Sequence, residues 1–206
     1  GDGPAAMRTL TSGANTWPAA LTTVGDVSGG GSMHIATGAV YSAAPDHVHI
    51  ISLTRDGRIA AASGIASDST HAGLSGNDDS GYGEVLAGCG DVNGDGVPDL
   101  AVGAPRDSTG EVKILLLTKA GAPFFGLTFS TFLTDGVVHA PLGFGGSLAA
   151  LGDVDGDGRG DLLVGTPAAD GGRGALHVLF VADSGVASDV PVSPERAGAS
   201  LHAVGG

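Results

Sequence analysis

The chain has 206 residues, with 38 Gly, 10 Pro, 9 Lys plus Arg and 22 Asp plus Glu, for a formal charge of −13. This length suits one ordinary domain, and a hydrophobic content of 42 % argues against disorder. The acidic surface repels phosphate, which excludes nucleic acid and anionic membranes as natural partners. No apolar run approaches the ~20 residues of a spanning helix, so membrane insertion is not expected.

Of the acids, only Glu84, Glu111 and Glu195 are Glu; the rest are Asp. That bias points to loops, where a short carboxylate bends back to the backbone or holds a metal. The single cysteine, Cys89, excludes an internal disulfide framework and a thiolate zinc site. Residues 1–4, Gly-Asp-Gly-Pro, do not read as a secretory leader, and no N-x-Ser/Thr acceptor is present.

Three windows in chain order share one frame, centred on Asp26, Asp91 and Asp153, with spacings of 65 and 62 residues. An aromatic precedes each centre by nine residues: Trp17, Tyr82 and Phe144. A leucine precedes each by five: Leu21, Leu86 and Leu148. Gly25, Gly90 and Gly152 stand directly before the centres, and Gly38, Gly103 and Gly165 stand twelve after them.

The first unit predicts strands at Ile35–Val40 and His47–Leu53. The second predicts them at Leu100–Gly103 and Glu111–Thr118, and the third at Leu162–Thr166 and Leu176–Val181. Gly, Pro, Asp and Ser clusters separate these runs, and no window carries a capped helical stripe. A unit of about 60 residues holds four short strands, the content of one antiparallel propeller blade. The expected fold is all-β, with about three blades plus partial terminal strands. The units run approximately 12–75, 76–138 and 139–195, with 196–206 a partial fourth unit in which Leu201, Val204 and Gly205 copy Leu148, Leu151 and Gly152.

The chemistry sits after the second and third centres. Asp91, Asn93, Asp95 and Asp99 alternate around Gly96, and Asp153, Asp155, Asp157 and Asp161 alternate around Gly158. Oxygens at alternating positions converge in a tight loop, and the glycine permits the sharp turn. So many oxygens suit a hard cation, so calcium is expected at two sites, with the backbone carbonyls of Val97 and Arg159 as further ligands. An EF-hand is excluded, because its bidentate Glu is replaced by Val102 and Val164. The first unit keeps only Asp26, with Ser28 and His34 in later loop positions, and is expected to hold no metal. The two metal loops are expected to act nearly independently, on separate blades.

Tyr82-Gly83 and Phe144-Gly145 ahead of the loops, with Gly103-Ala104-Pro105 and Gly165-Thr166-Pro167 behind them, resemble the FG-GAP repeats of integrin α-subunit β-propellers. The resemblance covers about residues 17–182. It implies an extracellular protein whose calcium sites stiffen the lower face of the blades while ligands bind the upper face.

Other features carry plain readings. Arg159-Gly160-Asp161 spells an integrin-recognised tripeptide, but Asp161 belongs to the metal loop. Cys89 is expected in the core, His47 and His49 on one face of a strand, and Phe124, Phe125, Phe129 and Phe132 in core or blade-to-blade packing. No nucleophile elbow, metalloprotease motif or phosphate-cradling loop occurs, so no enzyme activity is expected. Two functions stay open. One is structural assembly, in which blades pair between chains, with Ala6–Thr11 and Ser200–Val204 as terminal strands seeking partners. The other is an adhesion module that recognises a protein or glycan.

Overall fold

The computed structural model describes residues 18–39, 47–66, 81–106, 110–130, 143–168 and 172–181. Trp17 and the terminal segments 6–11 and 196–206 lie outside them, so their readings are not addressed by the fold.

The first sheet is β1 (Pro18–Gly25), β2 (Met33–Ala39), β3 (His47–Leu53) and β4 (Ile59–Ala66). The second is β5 (Val85–Gly90), β6 (Asp99–Ala104), β7 (Glu111–Leu117) and β8 (Pro123–Ser130). The third is β9 (Ser147–Gly152), β10 (Asp161–Thr166) and β11 (Ala175–Leu179). Each sheet is an antiparallel meander in sequence order, with four, four and three strands among the described residues. These are propeller blades. The first strands β1, β5 and β9 pack one against the next.

The frame read from spacing appears as geometry. In each unit the ladder between the first two strands slips beside the loop, leaving Gly25 opposite His34, Gly90 opposite Asp99 and Gly152 opposite Asp161. Such an extra residue bends the strand and terminates pairing. The chain is thereby released into the loop at the same point in all three units, including the one that keeps only its first acid, Asp26.

Successive sheets stack face to face. We call the face toward the preceding sheet the front and the face toward the following sheet the rear. Strand alternation sorts the side chains. Val24, Ala36, Val48 and Ile50 on the rear of the first sheet meet Leu86, Leu100, Val102, Leu115 and Leu117 on the front of the second. Ala87, Cys89, Ala101, Val112 and Ile114 on the rear of the second meet Phe144, Leu162, Val164 and Leu179 on the front of the third. The second sheet is therefore covered on both sides, which explains why every residue of β6 is buried. Cys89 is buried in this second junction, as expected, and desolvation pushes its thiol pKa far up.

The glycines of the repeat signature mark where blades touch. A Cβ on Gly38 would collide with the carbonyl oxygen of Gly83, and one on Gly103 with that of Gly145. The twelfth-position glycine of one unit thus receives the backbone beside the aromatic of the next, an approach no side chain permits.

The aromatic expectation needs a correction. Phe124 is half exposed at the start of the outermost strand β8, where no sheet among the described residues covers it. Phe125 and Phe129 lie on β8 opposite Leu116 and Val112, but their side chains, and all of Phe132, fall outside what is described.

Candidate functional site

Each loop leaves a first strand at its bulge, and the second and third loops enter the second strand at their ninth residue, the first at its eighth, Met33. In all three, the first Asp closes the turn. Asp26 Oδ2 accepts from the Gly31 N–H at 2.6 Å, Asp91 Oδ2 from Gly96 at 2.7 Å and Asp153 Oδ2 from Gly158 at 2.9 Å. The Gly31 bond is the main reason the Asp26 carboxyl is held below its usual pKa. Loop closure by this carboxylate therefore does not depend on the later acids. Gly96 and Gly158 sit at φ of 81° and 90°, the region that strongly favours glycine, as the sharp turn requires.

The interior positions follow one pattern. Asp91 Oδ1 accepts from Gly94 and Asp95, and Asp153 Oδ1 accepts from Gly156. Asn93 Oδ1 and Asp155 Oδ1 accept from the N–H groups of Asp95 and Asp157. Asp95 and Asp157 turn one oxygen to the N–H groups of Val97 and Arg159 at 2.8 and 2.9 Å. Asn93 also donates to Asp95.

The ninth-position carboxylates do more than sequence spacing suggested. Asp99 accepts from Val92 at 3.1 Å and from Leu117 at 2.9 Å. Asp161 accepts from Val154 at 2.8 Å and from Val181 at 3.2 Å. Each ties the start of its loop to the end of the third strand from a fully buried position. Burial is the main cause that raises the Asp99 pKa to about 7, aided by Asp95 and Asp91 and opposed by its two backbone hydrogen bonds. In the first unit His34 occupies this place. It is buried and its Nδ1 has no partner, so it does not replace the carboxylate's two acceptor bonds.

Carboxylate oxygens converge in the third unit. Asp153, Asp155 and Asp161 each offer an oxygen, and these oxygens lie within 4.8 Å of one another. An all-oxygen set in a loop fits a hard cation. Asp157 lies outside that group, at the rim. In the second unit Asp91, Asn93, Asp95 and Asp99 occupy the equivalent places, with an amide where the third unit has Asp155.

The seventh-position side chains are structural. Val97 is buried in the first junction. Arg159 extends from the third loop to the second, where its Nη1 donates to the Val92 carbonyl at 2.8 Å. Gly160 abuts the Cys89 carbonyl so closely that a Cβ would collide with it. The tripeptide 159–161 is thus held between blades, with Asp161 fully buried, and is not displayed as a ligand. The link through Arg159 brings the two loops, which stand on separate blades, into contact.

One recurring pair escaped the sequence reading. Lys113 and His177 occupy equivalent front-face positions, opposite Val102 and Val164. The Lys113 ammonium sits 5.7 Å from the Tyr82 ring centroid and pairs with Glu111 at 3.5 Å. The His177 ring meets Phe144 edge-on at 5.6 Å. In both units a nitrogenous side chain on the third strand rests against the aromatic that opens the repeat. Desolvation lowers the pKa of His177, whose Nε2 is buried without a partner.

Antiparallel blades, each with such a loop between its first two strands, define a protein of the β-propeller class. The FG-GAP repeat family matches residues 82–115 and 144–179, the second and third units. Integrin alpha-7 of Rattus norvegicus is 41 % identical over 109 residues, 51 % of this chain and 9 % of the relative. Integrin alpha-PS2 of Drosophila melanogaster is 40 % identical over 102 residues, 43 % of this chain and 7 % of the relative. Phosphatidylinositol-glycan-specific phospholipase D of Mus musculus is 39 % identical over 85 residues, 40 % of this chain and 10 % of the relative. The matched stretch spans about a tenth of the length of these relatives. The second and third units are FG-GAP repeats, and the matched half of the chain is integrin α-like.

Proposed function

We propose that this chain is a non-catalytic, calcium-stabilised FG-GAP propeller module of the extracellular space, acting in adhesion or in structural assembly. The likeness to integrin α chains supports the adhesion-type reading and the extracellular location. The convergence of Asp153, Asp155 and Asp161 is the observation that carries the calcium assignment. One site comprises Asp91, Asn93, Asp95, Asp99 and the Val97 carbonyl. The other comprises Asp153, Asp155, Asp157, Asp161 and the Arg159 carbonyl. The third-unit site is the tighter, because it offers four carboxylates against three. The unit boundaries 12–75, 76–138, 139–195 and 196–206 belong to the same proposal.

The absence of catalysis rests on how the carboxylates are used. Those of the two loops are held by backbone N–H groups, and no Ser, His or Cys nucleophile arrangement was found in the sequence. Extracellular calcium sites bind at about 10⁻⁴ to 10⁻³ M, so millimolar calcium stabilises each unit by about 0.4–1.4 kcal/mol. Titration calorimetry on the full chain is the test. Two calcium ions per chain and a lower melting temperature in chelator are expected; zero or three ions overturn the assignment.

A second reading, recognition of a protein or glycan through the loops of the face opposite the calcium loops, draws on the integrin likeness alone. A closed, non-associating monomer that captures such a ligand favours it over assembly.

A further inference from the structure

The chain contains three asparagines and no glutamine, and of Asn15, Asn77 and Asn93 only Asn93 is followed by glycine. Glycine has no side chain to shield its nitrogen, so this dipeptide is where a carboxamide is most open to attack by the main chain. Asn93 and Gly94 stand in the second loop, which surrounds them with the parts of an acyl-transfer site. The Gly94 N–H donates to Asp91 Oδ1 at 2.7 Å, so the nitrogen nucleophile already faces a carboxylate that can take its proton. Asn93 Oδ1 accepts from the Asp95 N–H at 3.0 Å, a donor aimed where negative charge develops when the carboxamide carbon is attacked. Asn93 Nδ2, the leaving nitrogen, donates to Asp95 Oδ2 at 3.0 Å. Gly94 has a φ of 79°, and no atom lies within 4 Å of where its Cβ would be, so the turn has room for a ring.

We propose that the Asn93-Gly94 pair is a self-modifying site, at which the folded second loop deamidates Asn93 through a succinimide. The Gly94 nitrogen bonds to Asn93 Cγ as its proton passes to Asp91 Oδ1. The Cγ–Nδ2 bond then breaks, and the nitrogen leaves as ammonia with that proton. Water opens the cyclic imide. Opening at Cγ gives aspartate at position 93. Opening at the main-chain carbonyl gives isoaspartate, with the chain rerouted through the side chain.

The third loop is the internal comparison. The Gly156 N–H donates to Asp153 Oδ1 at 2.7 Å, and Asp155 Oδ1 accepts from the Asp157 N–H at 3.2 Å. The frame is the same, but it surrounds a carboxylate in place of the carboxamide. An ionised carboxylate resists a nucleophile, so the third loop persists where the second changes. The chemistry stands apart from the calcium assignment, while its consequence rests on that reading. Aspartate at position 93 gives the second loop the four carboxylates of the third. Isoaspartate adds a carbon to the backbone and breaks the alternation of oxygens that the ion needs. The second site thus changes with the age of the protein, and the third does not.

The test is to age the full chain in chelator, folded and in urea, and to digest it with a glutamate-specific protease. Peptide 85–111 contains Asn93 and no other asparagine. Mass spectrometry with fragmentation reads the amide-to-acid exchange at position 93, and labelling by an isoaspartyl methyltransferase reads the rerouted chain. Asn93 in the folded wild type should convert faster than in urea, and faster than Asn15 or Asn77. Asp91→Ala should slow the folded conversion by at least about tenfold and leave the rate in urea unchanged. Circular dichroism checks that the variant folds; if it does not, the folded-against-urea comparison of the wild type decides. A folded wild type that keeps its amide, or converts no faster than in urea, overturns the proposal. A folded Asp91→Ala protein that converts at the parent rate overturns it too. Added calcium should slow the wild type, since oxygens of Asp91 and Asn93 become ligands. Conversion that proceeds in chelator and is not slowed by calcium refutes the second calcium site and supports the self-modification alone.

Discussion

Arg159 donates from Nη1 to the carbonyl of Val92 at 2.8 Å, and Val92 in turn donates its N–H to Asp99 at 3.1 Å. A side chain of the third loop is therefore one residue removed from the anchor of the second. Residues that share a hydrogen-bond network couple by about 0.5–3 kcal/mol, whereas distant sites add. Asp95→Ala and Asp157→Ala are thus expected to be non-additive in their effect on stability in calcium. Repeating the cycle in an Arg159→Ala background should restore additivity. Full additivity in the parent chain would show that the contact carries no energy.

Asp157 and Asp161 predict opposite profiles. Asp161 is fully buried and accepts from Val154 and Val181, so Asp161→Ala leaves the buried Val181 donor unsatisfied at about 1–3 kcal/mol and releases the part-buried Val154 N–H. That loss should persist in chelator. Asp157 is exposed and accepts from Arg159 N–H within its own loop. Asp157→Ala should cost under about 1 kcal/mol in chelator yet weaken calcium binding to the third unit. Urea denaturation of both variants with and without calcium separates the two roles.

The junction glycines predict a local steric effect. Gly103→Ala places a methyl against the Gly145 carbonyl, and overpacking of this kind costs about 1–3 kcal/mol. Gly30→Ala, on the exposed first loop at ordinary φ with only the Ser28 hydroxyl nearby, should lie within about 0.5 kcal/mol of wild type. A Gly103→Ala protein as stable as Gly30→Ala would mean that the blades separate at no cost.

His177 gives the pH dependence a sign. Its folded pKa lies below the ordinary imidazole value of 6.5, chiefly through burial. The unfolded chain therefore takes up the proton first. The stability tied to neutral His177 is complete above pH 6.5 and declines as pH falls through that value. In chelator, which removes the calcium contribution, the melting temperature of the wild type relative to His177→Gln should drop from pH 7.5 to 5.5, while Asp99, whose pKa is raised to about 7, acts with the opposite sign in both proteins. The pH slope of the His177→Gln protein should therefore differ from that of the wild type. An unchanged slope in the variant would assign the effect to other groups.

What could be read from the residues divides along physical lines. The loop centres, the paired strands and the Gly-to-Gly frame were legible because each is local. A bulge, a tight turn and a short β-branched run all impose residue types within about ten positions. The first unit kept its frame after losing most of its acids because Asp26 alone closes the loop through Gly31. Contacts between blades were not legible. His49, Lys113 and His177 follow their loop centres by 23, 22 and 24 residues, so a fixed spacing misses their equivalence, and only the register reveals it. The anchoring bonds of Asp99 and Asp161 reach residues 18 and 20 positions away, beyond any motif. Phe124 shows the reverse failure, since hydrophobicity alone said core while its place on the outermost strand left it half exposed.

The seam between the second and third sheets contains the chain's one thiol. Cys89 is buried there, with Leu162 and Val164 in the same cluster and Gly160 against its carbonyl, and its proton is held far more tightly than usual. Alkylating reagents attack the thiolate, so the closed seam should be inert to them. Modification then proceeds only during moments when the third sheet lifts away. The rate at which a small maleimide disappears into this protein is accordingly a clock for blade separation, built in without any label, and its slowing in added calcium would time how firmly the ion keeps the seam shut.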